Sequence, residues 1–277
     1  MSSFYIDQQP KKIFYCNKCV YSNQKVVPSD IKDDKSDHSN RAFLRFNKNG
    51  TCSACQLLER KKNESLLDNI DWKERENQLR SLLDKYRSRN GSFDCIVPGS
   101  GGKDSVLQAQ VLKDKYNMNP LTVTFSPIRY TDIGMSNFHK WPENGHVNNF
   151  LFSPNGETYG KLTRLAFEKM LHPFQPFIYG QRHYATHMAL KFKIPLLFMG
   201  EPHSEFGSEA DEENLPYMLE RYFTKEKNQE IFVSGVPESE LTNKYNIPKS
   251  DLEYFLPLER DVVIKNYIKQ YFYSWVY

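Results

Sequence analysis

Apolar residues in this chain gather into short runs separated by stretches of helical period, most clearly between positions 93 and 199. Phe93, Cys95, Ile96 and Val97 form a run suited to a strand covered on both faces. Pro98 ends it, and Gly99, Gly101 and Gly102 follow within one turn. Val106, Leu107, Ala109, Val111 and Leu112 then recur at roughly helical spacing, so a helix opens directly behind the glycines. After the Asn119-Pro120 break, residues 121–125 read as a second strand and 148–152 as a third. Residues 157–171 predict an amphipathic helix with Tyr159, Leu162, Leu165, Ala166 and Phe167 inward. Residues 181–192 predict another helix, carrying Arg182, His183 and His187 near its start, with the histidines read as structural. Ile194 to Met199 reads as a buried strand. Strand and helix in alternation predict an α/β fold with a doubly wound, mostly parallel sheet.

The flanks are patterned differently. Asp71-x-x-Glu74 has capping-box spacing, and Trp72, Leu79, Leu82, Leu83 and Tyr86 mark the inner stripe of a helix ending near Asn90-Gly91. Residues 126–145, rich in Gly, Pro, Asn and His, read as a loop beside a site, with Asp132, Gly134, Asn137 and His139 as its polar or hinge candidates. From 208 the chain turns acidic, and two Pro-delimited helical stretches follow at 237–245 and 249–255. The aromatic end, 262–277, is either tucked into the core or held for a partner. These shifts give an N-terminal module at 1–65, a linking helix at 66–90, a core at 91–207 and a helical C-terminal region at 208–277.

Composition narrows the setting. A length of 277 residues allows one large domain with appendages, and 39% apolar content supports a core. Basic and acidic residues nearly cancel, 37 against 34, so nothing directs the chain to nucleic acid or a membrane surface. No basic stretch leads into an apolar one at the N-terminus and no apolar run reaches membrane-spanning length, so a cytoplasmic location is expected. In that compartment five cysteines suggest metal before disulfides. Four of them form the pairs Cys16-x-x-Cys19 and Cys52-x-x-Cys55. Two such turns complete a tetrahedral S₄ shell suited to Zn²⁺, a closed site whose work is structural. A redox pair or an iron–sulfur cluster are the alternatives. The insert between the pairs carries a short predicted strand at 42–46, and its His38 reads as a loop residue.

Ser100-Gly101-Gly102-Lys103-Asp104-Ser105 is the chain's clearest chemical signal. Glycines that turn backbone N–H groups inward at a helix N-terminus, with a lysine and two hydroxyls, suit a polyphosphate. A Walker loop is excluded because Asp104 follows Gly102-Lys103 and Val97 stands where its first glycine belongs. The glycine spacing also fails the dinucleotide fingerprint. Residues just beyond the strand ending at Met199 share the same carboxyl-end crevice. Glu201 is therefore a candidate to hold Mg²⁺ or orient an amine, with Glu205 and Asn137 as weaker substrate contacts.

The 100–105 string resembles the PP-loop of N-type ATP pyrophosphatases, with their adenine nucleotide alpha hydrolase-like fold. Taken with the cysteine pairs and the 200–207 string, Gly-Glu-Pro-His-Ser-Glu-Phe-Gly, nearly the whole chain resembles the N-acetyl sugar amidotransferases of lipopolysaccharide and nonulosonate biosynthesis. The resemblance implies ATP- and Mg²⁺-dependent conversion of an acetamido to an acetamidino group on a free or nucleotide-linked sugar. It also implies ammonia from a separate glutaminase through a cyclase-like subunit. Ser100, Gly101, Gly102, Lys103, Asp104 and Ser105 then bind nucleotide, and Lys103, Asp104 and Glu201 are the catalytic candidates. Relatives generally continue past 273–275, so the C-terminal region is expected to be shortened. A PP-loop tRNA sulfurtransferase, or a non-catalytic zinc-stabilised partner protein, are the competing readings.

Overall fold

The computed structural model describes residues 10–24, 44–63, 71–200 and 215–273. Glu201, Glu205, the rest of the 201–207 string, His38 and the last four aromatic-rich positions lie outside the described residues. The chain forms two compact units, residues 1–74 and 75–277. Among the described residues, no helix is long and apolar enough to cross a membrane.

The described residues of the first unit carry little regular structure. Tyr15 bridges Ser22, Phe46 bridges Cys52, both antiparallel, and helix α1 runs Ser53–Asn63. Phe14 and Phe46 meet edge to face with ring centres 5.1 Å apart. Helix α2, Trp72–Tyr86, crosses the boundary between the units; Asp71 Oδ1 accepts from the Glu74 N–H as the predicted cap requires. Of its expected inner stripe, Leu79 and Leu83 are buried, while Trp72 is exposed.

The second unit is built on five parallel strands: β1 Cys95–Pro98, β2 Pro120–Phe125, β3 Asn148–Phe152, β4 Leu196–Met199 and β5 Lys269–Phe272. Their order across the sheet is β3-β2-β1-β4-β5. The predicted doubly wound α/β architecture is thus present. Its strands are apolar on alternate positions toward both faces, as the two-residue period demands. Ile96, Leu121, Val123, Leu197 and Met199 enter one core, whereas Cys95, Val97, Leu196 and Phe198 enter the other. Thr122 and Thr124 are also buried. Asn149 Nδ2 donates to both their hydroxyls, and Thr122 Oγ1 donates to the Asn148 carbonyl, so the polar atoms on this stretch are satisfied.

Helices α3 Lys103–Asp114, α4 Asp132–Gly145, α5 Gly156–Met170 and α6 Gln175–Phe192 supply most of the cover. Phe167 on α5, expected inward, is 57% exposed, and Leu107 on α3 is 60% exposed. The largest departure is α4, where a loop was expected. Thr131 Oγ1 accepts from the Gly134 N–H and starts the helix, and Phe138 and Trp141 anchor its inner face. Tertiary burial there outweighs Gly134 and the internal Pro142, which removes one helical donor. Helix α6 likewise begins six residues earlier than its apolar pattern indicates, with Pro176 in its first turn.

The C-terminal region holds short helices at Glu238–Asn243, Lys249–Leu252 and Arg260–Lys265, and also strand pairs joining 224–225 to 258–259 and 232–233 to 236–237. Its last strand, β5, is buried beside β4, and Tyr217 bridges Tyr271 across the outer edge. The sheet's topology reverses between β1 and β4: the chain winds outward through β2 and β3, then returns to pair on β1's other side. A ligand crevice is expected beyond the carboxyl ends of those two strands.

Candidate functional site

The glycine-rich loop occupies that position. Gly99 N–H donates to the Val123 carbonyl at 3.0 Å, extending the β1–β2 ladder one residue before the chain turns. At Gly99 an added Cβ would lie 2.3 Å from Ser105 Cβ and 2.8 Å from the Trp141 ring. Gly101 has φ +83°, and a Cβ there would lie 2.9 Å from the Asn137 carbonyl oxygen and Phe138 Cα. The loop is therefore pressed against α3 on one side and the α4 backbone on the other, a fit only glycine permits. Gly102 caps α3 with extended backbone and no side-chain hydrogen bond, leaving the first N–H groups of that helix open to a ligand. Ser105 Oγ donates back to the Gly102 carbonyl at 3.0 Å and holds the turn closed.

An open cleft of about 210 Å³ lies above the loop. Ser100, Gly102, Asp104 and Ser105 line it from the sequence-predicted set. Gly101 and Lys103 do not: Gly101 faces α4, and the Lys103 side chain is 90% exposed, paired to Asp104 at 3.0 Å. Asn137 is exposed on α4, and what touches the loop is its backbone carbonyl. Asp132 and His139 are exposed on the same helix. Lys161 and Arg164 on α5 pair with Glu157 and Glu168 and lie outside the cleft lining.

The opposite wall comes from α6. Ile178, Gln181, Arg182 and Ala185 fall at i, i+3, i+4 and i+7, one helical face, and all four line the cleft. Phe125 and Met199, at the ends of β2 and β4, supply an apolar floor. The wall stands close because of Gly180: a Cβ there would sit 2.2 Å from Phe125 ring atoms. Arg182 is 8% exposed, so a permanent positive charge is sunk into the side of the cleft. The 181–192 pattern shows Arg182 near the helix start; its burial on the cleft side becomes legible only once the helix is extended to 175 and Gly180 is given a close-packing role.

Two histidines follow on α6 and serve the core. His183 is buried, its Nδ1 has no hydrogen-bond partner among the described residues, and burial, then the charges of Arg182 and His187, pushes its pKa well below the ordinary value. His187 Nε2 lies 3.0 Å from the Leu256 carbonyl, and burial lowers this pKa too.

In the first unit the four paired cysteines converge as the sequence predicts. Their sulfurs all lie within 4.8 Å of one another. Cys19 and Cys52 sulfurs are 3.7 Å apart, against about 3.8 Å between neighbours of a tetrahedral shell with 2.3 Å Zn–S bonds. The first pair sits on a turn, and the second straddles the start of α1, with Cys52 just before the helix and Cys55 in its first turn. Asn47 Oδ1 accepts from the N–H groups of Asn49 and Thr51, Gly50 takes φ +77°, and Asn17 Nδ2 ties the first turn to the Asn49 carbonyl at 2.7 Å. Burial opposes charge on Cys16, but N–H groups of Cys52, Lys18 and Cys19 donate to its sulfur and bring its pKa down to about 6. Cys55 is pushed up to about 12, first by its hydrogen bond with Cys19 and then by burial. Packed thiols resist losing several protons together unless a cation replaces them. The donor set fits Zn²⁺ held by Cys16, Cys19, Cys52 and Cys55.

No protein-family model matches the chain. An uncharacterised protein of Methanocaldococcus jannaschii is 41% identical over 46 residues, a segment amounting to 17% of each chain. The match therefore spans about a sixth of that relative's length. Among solved structures, NMN synthetase from Francisella tularensis aligns over 70% of this chain and 81% of its own, at 15% identity and a TM-score of 0.38.

Proposed function

We propose that the protein is an ATP-dependent amidotransferase that turns a sugar acetamido group into an acetamidino group, releasing AMP and pyrophosphate. The observation that carries this reading is the Ser100–Ser105 loop at the open N-terminus of α3, facing a cleft where the sheet's topology reverses. The amide, the sugar and the family rest on the sequence resemblance.

An amide oxygen is a poor leaving group, so its lone pair first attacks the α-phosphorus and the bond to the β-phosphate oxygen breaks. N–H groups of the loop and of the first turn of α3 receive the charge on departing pyrophosphate. Asp104, lining the cleft, is a carboxylate available to Mg²⁺, which supplies further positive charge to the polyphosphate when bound. Ammonia adds to the adenylated carbon, and cleavage of its C–O bond expels AMP, leaving the amidine. Acetamide, ammonia and ATP are thus converted to acetamidine, AMP and pyrophosphate, with the amide oxygen carried away in AMP. Cys95 lies sealed in β1 and burial raises its pKa well above the ordinary value, so it is unsuited to attack glutamine. Ammonia then comes from a separate glutaminase through a cyclase-like subunit.

The test is to incubate the protein with ATP, Mg²⁺, ammonium and acetamido sugars labelled with ¹⁸O in the amide. Transfer of the label to AMP is expected. ADP as product, or AMP formed without sugar and lacking label, overturns the proposal. AMP formed only with tRNA and a sulfur donor would favour the sulfurtransferase reading instead.

A further inference from the structure

The sequence offers Lys103 as the cation of the site, yet this side chain is almost fully exposed, paired to Asp104 and absent from the cleft lining. The cation sunk into the cleft wall is Arg182. It lies on the α6 stripe facing the loop, between Ile178 and Ala185, with Gly180 letting that helix approach Phe125. The loop and the first turn of α3 supply neutral N–H donors, which suit the outer phosphates; the charged side chain that turn brings to the cleft lining, Asp104, is negative. A guanidinium keeps its charge when buried and presents a planar fork that matches two phosphate oxygens at once. Its position opposite an anion-binding loop is consistent with recognition of negative charge between the two walls.

We infer that Arg182 is a catalytic residue of this cleft: its guanidinium binds the non-bridging oxygens of the nucleotide's α-phosphate and stabilises the charge that builds there as the amide oxygen attacks. The inference deepens the proposed function and rests on it for the attacking group. Its binding component, an α-phosphate contact separate from the loop's β,γ-site, can be measured by itself. No proton moves in this role; Arg182 contributes charge and two donors while the bond to the α-phosphorus forms and the bond to pyrophosphate breaks.

The experiment compares wild type, Arg182→Gln and Arg182→Lys in the full chain, using AMP and inorganic pyrophosphate, each with Mg²⁺, as separate calorimetric probes. AMP affinity is expected to fall about tenfold or more in Arg182→Gln, the scale of one lost charge-assisted contact, while pyrophosphate affinity changes less than twofold. Arg182→Lys, which keeps the charge but loses the fork, is expected to fall between them and guards against misfolding of the glutamine variant. In turnover, kcat of Arg182→Gln is expected to drop about 10²–10³-fold, with lysine recovering part of the loss. Unchanged AMP affinity in a folded variant, or a loss confined to pyrophosphate, overturns the assignment. If wild type yields no labelled AMP from any sugar, the amidotransferase reading falls, and the AMP-against-pyrophosphate comparison still decides whether Arg182 is the α-phosphate ligand.

Discussion

Replacing Gly180 by alanine tests whether close approach of α6 to β2 shapes the cleft. A Cβ at this position would lie 2.2 Å from two Phe125 ring atoms and 2.6 Å from a third. Carbon atoms pack at about 3.5 Å or more, so ring or helix must yield by about 1.3 Å. The ring has little room to turn, because Phe152, Tyr159, Phe177, Tyr184 and Phe255 surround it. Overpacking of this kind costs about 3 kcal/mol at the upper end of its usual range, and the helix-propensity gain of alanine returns about 1. The net loss of about 2 kcal/mol corresponds to a Tm lower by about 4–8 °C at this chain size. Gly160 provides the internal control. It is also helical, but an added Cβ meets nothing within 4 Å, so Gly160→Ala should raise Tm by about 2–4 °C. Calorimetry of both variants, supported by urea titration at constant m, separates packing from propensity. A Gly180→Ala protein that melts at or above wild type would refute the reasoning, because the tight α6–β2 contact would then be dispensable.

Further outcomes follow from other parts of the molecule. Cys16→Ser should remove bound zinc, measured by elemental analysis, and destabilise the first unit; a variant that keeps one equivalent of zinc and full stability would contradict the four-sulfur assignment. Ser105→Ala should abolish pyrophosphate release while circular dichroism stays native, and normal turnover in that variant would remove the loop from the chemistry. His183 and His187 both have lowered pKa values in the fold, so below about pH 6.5 the unfolded chain binds protons that the native one refuses. Stability should therefore be fully present above about pH 6.5 and fall as pH drops through the window between the unfolded and native pKa values. The slope is at most about 1.4 kcal/mol per pH unit for each histidine, and His187→Gln should remove its share; a slope unchanged in that variant would show that His187 does not titrate with unfolding.

The parts of the fold written in the sequence are those whose local pattern and buried surface agree. Strands β1, β2 and β4 announce themselves because Ile96, Val97, Leu121, Val123 and Leu197 are apolar and covered on both sides. The cysteine pairs and the Ser100–Ser105 loop are legible because their chemistry demands particular residues at fixed spacing. Helix α4 is not, since Gly134, Asn137 and Pro142 weaken its local signal while Phe138 and Trp141, only three residues apart, do the anchoring. Arg182 shows the same limit at the site: its helix is visible, but its cleft-facing role depends on a non-local encounter between Gly180 and Phe125. Strand β5 is hidden for a related reason, because alternation in 269–272 is masked by aromatic residues on both sides of the pleat.

The order of strands also bears on how the molecule is made. Translation delivers β1, β2 and β3 in sequence, β2 and β3 each able to pair at once with the strand before it, and then β4 on the other flank. From that moment the outward rim of β4 stays unsatisfied until the ribosome has released 269–272, and the outer rim of β5 is in turn closed by 216–218. During synthesis this flank carries bare amide and carbonyl groups on a strongly apolar ribbon, a template for self-association. Nascent chains stalled just short of 269 should therefore show the greatest demand for chaperones, and release of the last strand should end it.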